Sequence, residues 1–232
     1  MFEVDYIECA NCIEAMRSLP ENSIDLVVTD PPYRLVGGGN TTNKFKVGGI
    51  LSRDCEYARQ GKLFEFNNIR FSDWIPEVFR ILKNGTHAYI MCNSRNLFDL
   101  WGAASAAGFK FVNLLVWKKN NKTPNRYYMQ QCEFILLLRK GAARDINNMG
   151  LANWFDIANI KDKQHPTQKP VELIKIFIEQ SSAEGETVLD PFLGVGTTAI
   201  AAVLADRHYI GFELSQEFFD IACKKLDEIE EA

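Results

Sequence analysis

Only three histidines stand among the 232 residues, and the six cysteines (Cys9, Cys12, Cys55, Cys92, Cys132 and Cys223) are scattered rather than framed. Cys9 and Cys12 form one CxxC, but a zinc site needs a full set of ligands at compatible spacing, and no second CxxC or clustered histidine pair supplies the remainder. The cysteines therefore read as reduced thiols in a core, with no metal expected. No run approaches the roughly 18 apolar residues of a membrane span, and the N-terminal MFEVDYIECA carries acids with no basic segment. Neither a signal peptide nor membrane contact is expected, and the expected location is cytoplasmic. Internal repeats and low-complexity segments are lacking as well.

What is present is a 47% apolar composition, enough for the core of one α/β domain. The net charge of −4 conceals an uneven distribution: residues 1–33 carry net −6, residues 34–169 net +11 and residues 170–232 net −9. A basic middle between acidic ends suits a face that meets a polyanion, although solvated helix faces would give the same count. Hydrophobic runs predict strands near 5–8, 24–29, 86–92, 110–117, 132–138, 187–190 and 208–212. Helical periodicity fits 11–18, 72–82, 94–107, 170–181, 197–205 and 215–229. Strands alternating with helices imply a largely parallel sheet covered on both faces. The polar link between 110–117 and 132–138 is too short for a crossover helix, so these two strands should pair antiparallel. Residues 34–66, glycine-rich with six bases against three acids, and the basic stretch 139–168 resist regular structure and are candidate substrate-contacting loops.

Three motifs carry chemistry. VLDPFLGVGTTAIAA (188–202) reads as a strand, an acid, a glycine turn and a helix start, in which Gly194 and Gly196 let the backbone approach a ligand while Thr197 and Thr198 offer hydroxyls and amides. In YIGFE, Glu213 ends the next strand, where a carboxylate can bind both hydroxyls of a ribose. GVGTTA also fits a dinucleotide fingerprint, but only 19 residues follow Glu213, too few for a second mononucleotide half in the usual order. HPTQKPVELI (165–174) reads in isolation as a polar loop before a proline-initiated helix; alternatively Thr167, Gln168 and Lys169 could grip the carboxylate of an amino-acid moiety. The third motif, TDPPY, ends an apolar strand abruptly on Asp30.

DPPY at 30–33, HPTQKP at 165–170, VLDPFxGxGTT at 188–198 and the acid at 213, in this order, resemble the permuted (β-group) amino-methyltransferases that act on adenine-N6 or cytosine-N4 in DNA. The resemblance spans nearly the whole chain. It implies a Rossmann-like α/β methyltransferase fold: a mostly parallel seven-stranded sheet with one antiparallel hairpin and helices on both faces. It implies a single domain over 1–232, with a catalytic half at about 20–138, DNA-contacting loops at about 34–66 and 139–164, and a cofactor half at about 165–232 plus 7–14. The implied cofactor is S-adenosylmethionine, held by His165, Thr167, Gln168, Lys169, Asp190, Phe192, Gly194, Gly196, Thr197, Thr198 and Glu213, with Asn11, Cys12 and Asp30 completing the pocket. Two departures stand out: Asn11 replaces the usual aspartate expected to meet the cofactor's adenine, and Val195 replaces a common serine. An asparagine oxygen can still accept a hydrogen bond from an amino group.

DPPY suits the chemistry of an exocyclic amine whose lone pair is delocalised into its ring. Asp30 can accept one amino hydrogen and the Pro31 carbonyl another, which localises the lone pair, and Pro31 and Pro32 fix the backbone that presents them. Tyr33 is expected to stack on a base flipped out of the duplex. An aspartate in first position favours adenine-N6, with cytosine-N4 as the alternative and RNA methylation or a non-catalytic DNA-binding module further off. The chain has no Pro-Cys dipeptide of the kind that carbon-5 cytosine enzymes use. Double-stranded DNA is the expected partner, with phosphates held by Arg34, Lys44, Lys46, Lys118, Lys119, Lys122, Arg126, Arg139 and Arg144. Relatives of this group often form homodimers, and a cognate restriction endonuclease is a further partner that the resemblance allows; the sequence leaves both open.

Overall fold

The segment IDLVVT is buried at all six positions of its strand, β2 (Ile24–Thr29), as a strand covered on both faces must be. Its side chains alternate between two cores: Val27 belongs to one, Leu26 and Val28 to the other. The computed structural model describes residues 2–32, 69–123, 127–142, 144–160 and 168–230. Of the expected site residues, Tyr33, Arg34, Lys44, Lys46, Arg126, His165 and Thr167 lie outside the described residues.

Around β2 the chain builds one sheet. Its other strands are β1 (Tyr6–Cys9), β3 (Leu82–Cys92), β4 (Lys110–Thr123), β5 (Gln130–Arg139), β6 (Trp154–Asp156), β7 (Thr187–Asp190) and β8 (His208–Glu213), in the spatial order β1-β8-β7-β2-β3-β5-β4-β6. The block from β1 to β3 is parallel throughout. β5 runs antiparallel to both β3 and β4, so the expected hairpin is present. The described sheet has eight strands rather than seven. The addition is β6, which pairs parallel with β4 through Val116–Trp154, Trp117–Phe155 and Lys118–Asp156, in a stretch expected to be irregular. Three residues, WFD, are too few to display a period.

One face is covered by α1 (Cys12–Ser18), α2 (Phe71–Ile81) and α3 (Leu97–Ala107), which contribute Met16, Trp74, Ile75, Val78, Leu100 and Ala104 to the first core. The opposite face is covered by α4 (Val171–Ser181), α5 (Thr197–Val203) and α6 (Gln216–Glu230), which contribute Leu173, Phe177, Ala201, Ala222 and Leu226 to the second. Short α1 is held at both ends. Asn11 Oδ1 accepts from Ile13 N at 2.9 Å, and Arg80 of α2 donates to Met16 O and Leu19 O at 2.7 and 3.0 Å. None of the described helices is long and apolar enough to cross a membrane.

The turn between β7 and α5 depends on Gly196. Its φ of 87° lies in the left-handed region, and a Cβ there would meet Ala222 Cβ of α6 at 3.1 Å. Gly196→Ala is therefore expected to destabilise the fold by about 1–2 kcal/mol, through left-handed strain plus displacement of α6. Urea titration should show a lower midpoint with an unchanged slope.

Candidate active site

Three neighbouring parallel strands end in acids at the same edge of the sheet. Asp30 directly follows β2, while Asp190 and Glu213 are the last residues of β7 and β8. This carboxyl edge is where open α/β sheets bind ligands, because loops diverge there and helix N-termini face it. Being antiparallel, β5 brings its beginning rather than its end to this edge, and with it Glu133.

Asp190 is buried and accepts three hydrogen bonds. Thr29 Oγ1 at the end of β2 donates to Oδ1 at 2.6 Å, Thr198 Oγ1 in the first turn of α5 donates to Oδ2 at 2.6 Å, and Phe192 N donates to Oδ1 at 3.0 Å. Burial pushes its carboxyl up to about 6 against the opposing pull of these donors. Glu213 holds the glycine turn: Gly194 N donates to Oε2 and Ser215 N to Oε1, both at 2.8 Å. Each oxygen keeps a lone pair for a further donor, so the pair suits a diol. Ala10 N donates to Glu213 O at 3.0 Å, which brings Asn11 and Cys12 beside the same strand end. Burial pushes the Cys12 thiol up to about 12, so it is an uncharged lining group. The side chain of Phe192 meets Trp74 edge-on at 5.0 Å between centroids.

Asp30 sits in a second, charged cluster. Lys169, just before α4, places its ammonium against Asp30 Oδ2 and 3.3 Å from Glu133 Oε2, while Lys119 Nζ of β4 lies 2.8 Å from Glu133 Oε1. Burial alone would raise the Glu133 carboxyl, but the two ammonium groups outweigh it and hold it down at about 2. Burial raises Asp30 above the ordinary carboxylate range despite Lys169. Lys169 is held protonated, its pKa raised because the two carboxylates outweigh the cost of burial. The other oxygen, Asp30 Oδ1, is shielded from solvent and has no hydrogen-bond partner among the described residues. A buried acceptor left open is costly, and at the end of a rigid strand it is a seat for an incoming donor.

The structure brings together most of the residues read from the motifs and separates others. Lys169, expected to grip a cofactor carboxylate, lies between Asp30 and Glu133. Lys119, expected on phosphate, is tied to Glu133 with 17% of its side chain exposed. Arg139 and Arg144 are at the opposite edge, because β5 carries the chain back there: Arg139 pairs with His87 near the start of the parallel register. Arg144 is bound to Glu186 at 2.8 and 2.7 Å and to Ser181 O. Neither reaches the carboxyl edge. Lys118 stays at that edge, bridged to Asp156 at 2.6 Å, and Lys122 is exposed on β4. Glu133 was not among the expected site residues. The signal for it was an acid in the same period-2 register as buried Ile135 and Leu137.

Comparison with known proteins gives the same picture. A family model described as DNA methylase matches residues 24–161 and 151–224. The type II methyltransferase M2.MboI of Moraxella bovis is 30% identical over 246 residues, covering 94% of this chain and 86% of that protein. M2.DpnII of Streptococcus pneumoniae, also a type II methyltransferase, is 31% identical over 233 residues, covering 91% and 85%. Among solved structures, that of an M1.HpyAVI–SAM complex superimposes with a TM-score of 0.70 at 25% identity, covering 94% of this chain and 98% of that one.

Asp190 makes the strand-end junction pH-dependent. Its folded pKa of about 6 exceeds the 3.8 of an ordinary aspartate, so between these values the native state binds more protons than the unfolded chain. Stability should therefore fall as pH rises through this window. Relative to Asp190→Asn, which does not titrate, the wild type should lose about 2 kcal/mol between pH 4 and pH 7 in paired denaturant titrations.

Proposed function

The chain belongs to the DNA methylase family, and from that membership we propose that it methylates the N6 amine of adenine within a short duplex sequence. It is an S-adenosylmethionine-dependent DNA methyltransferase. The choice of adenine rests on the aspartate that opens DPPY, and the roles of individual residues rest on the site. Its residues fit the cofactor: Glu213 offers paired acceptors for the ribose hydroxyls, and Gly194 and Gly196, both at positive φ, keep the turn free of side chains. Asn11 and Cys12 would line the same pocket, with Phe192, Thr197 and Thr198 at the turn and Gln168 entering ahead of α4. When bound, S-adenosylmethionine supplies the electrophilic methyl carbon.

The protein's share of the chemistry is to make an aromatic amine nucleophilic. Asp30 Oδ1 and the Pro31 carbonyl would each accept one amino hydrogen, drawing the nitrogen towards a pyramidal geometry with its lone pair directed at the methyl carbon. Positive charge that develops on nitrogen is met by a carboxylate already in place, so little reorganisation is required. Burial keeps Asp30 more basic than an ordinary aspartate, which suits it to take the proton that the methylated amine releases. The single observation that carries this reading is the buried, open Oδ1 of Asp30 at the carboxyl edge.

DNA would approach over that edge. The β4–β5 hairpin extends beyond the register of Glu133 and presents Lys118 and the exposed Lys122, which would position phosphates and carry no sequence information. The type II names of the curated relatives support a place for the chain beside a cognate endonuclease, with the same short sequence as target.

Asp30→Ala is expected to lower tritiated methyl transfer to duplex DNA by at least about 10²–10³-fold while S-adenosylmethionine binds within about twofold of wild type. Normal turnover by this variant would remove Asp30 from catalysis. Sequencing of modified bases in DNA from a host expressing the chain should place the label on adenine within one short motif; label on cytosine would assign the N4 alternative.

A further inference from the structure

The cluster around Lys169 holds more than catalysis by Asp30 requires. Two ammonium groups and two carboxylates alternate in a chain, Lys119–Glu133–Lys169–Asp30, contributed by β4, β5, the segment before α4 and the end of β2. The four groups sum to zero charge when all are ionised. Lys169 touches Asp30 on the oxygen that the buried, open Oδ1 does not use. A target amine that becomes cationic beside Asp30 would then face the Lys169 cation across one carboxylate. Two cations sharing one anion repel each other, and the transition state would lose the stabilisation for which Asp30 is placed.

Glu133 resolves this conflict. Its Oε1 is pinned by Lys119 at 2.8 Å, which fixes the carboxylate, and its Oε2 already lies 3.3 Å from Lys169 Nζ. That contact is already an ion pair, so a side-chain rotation of the lysine is enough to pass its shorter contact from Asp30 to Glu133. We infer that Glu133 is a positioning residue for methyl transfer: it is the second seat of the Lys169 ammonium, which shifts from Asp30 to Glu133 as charge develops on the target amine. This rests on the assignment of Asp30 to the amine. The two carboxylates suit the division of labour. Glu133, gripped by two lysines, stays anionic, while Asp30 is the more basic and receives the proton.

The test is Glu133→Gln, with Glu133→Asp beside it to keep the charge, in single-turnover methyl transfer to duplex DNA across pH. With the Glu133 charge removed, Lys169 is held more tightly to Asp30, and the methyl-transfer rate should fall by about 10- to 100-fold while S-adenosylmethionine affinity stays within about threefold. Glu133→Asp should recover most of the rate. The pH profile separates positioning from mere support. The groups that face Asp30 are Lys169, Glu133 and Lys119, the Cys92 thiol, which stays neutral, and Asp190, which is present in both proteins. Removing the Glu133 anion lowers the pKa of Asp30, so the acid limb of the Glu133→Gln rate should move to lower pH as its plateau falls.

A rate within twofold of wild type, or an acid limb that stays in place, overturns the inference. So does equal loss in Glu133→Asp and Glu133→Gln. Asp30→Ala keeps the two claims apart. An active Asp30→Ala refutes the amine assignment itself, whereas an inactive one beside a fully active Glu133→Gln refutes only the second seat.

Discussion

The carboxylate of Asp190 is the point on which the rest of the site is hung. Burying an ionised carboxylate costs several kcal/mol, and only a full set of donors offsets it. Here the donors come from three segments: the last residue of β2, the first turn of α5 and the turn after β7. Shifting any one of them would orphan a buried charge. Thr29, one of the donors, immediately precedes Asp30, so the bond that satisfies Asp190 also sets the end of β2 against the glycine turn. The two halves of the site are thus registered by one side chain that belongs to neither reacting group. Glu213 does the equivalent for the turn itself, through Gly194 and Ser215.

Much of this was legible in the sequence because strand ends and turns are local features. The apolar run before Asp30, the glycines after Asp190 and the acid closing YIGFE each announce an element boundary, and the helices and strands fall near where their periods put them, except that β4 runs on to Thr123 and β6 is additional. The hairpin followed from a link too short for a crossover. What escaped was set by tertiary pairing. Glu133 and Lys119 look like surface charges on a strand until β4 and β5 are paired and α4 brings Lys169 over the same face. Lys169 meets Asp30 across 139 residues of chain, a distance over which no pattern operates. Arg139 and Arg144 were misplaced for the same reason: an antiparallel strand exchanges the two edges of the sheet, and direction is invisible in a run such as CEFILLLR.

The antiparallel strand also explains how an otherwise parallel sheet acquires Glu133 at its ligand edge. Parallel strands deliver the residues that follow them, hence Asp30, Asp190 and Glu213; β5 delivers the residues with which it begins. The charged cluster is in this way drawn from both chain directions, Asp30 and Lys119 from strands of one and Glu133 from the other.

Folding neutralises part of the positive charge carried by the middle of the chain. The middle of the chain carries net +11, yet in the folded protein Lys169 answers Asp30, Arg144 answers Glu186 and Lys83 answers Asp25, carboxylates that lie outside that middle. Cations neutralised by folding release no counterions when a duplex docks. Their share of the salt dependence of DNA binding is therefore smaller than the count along the chain suggests.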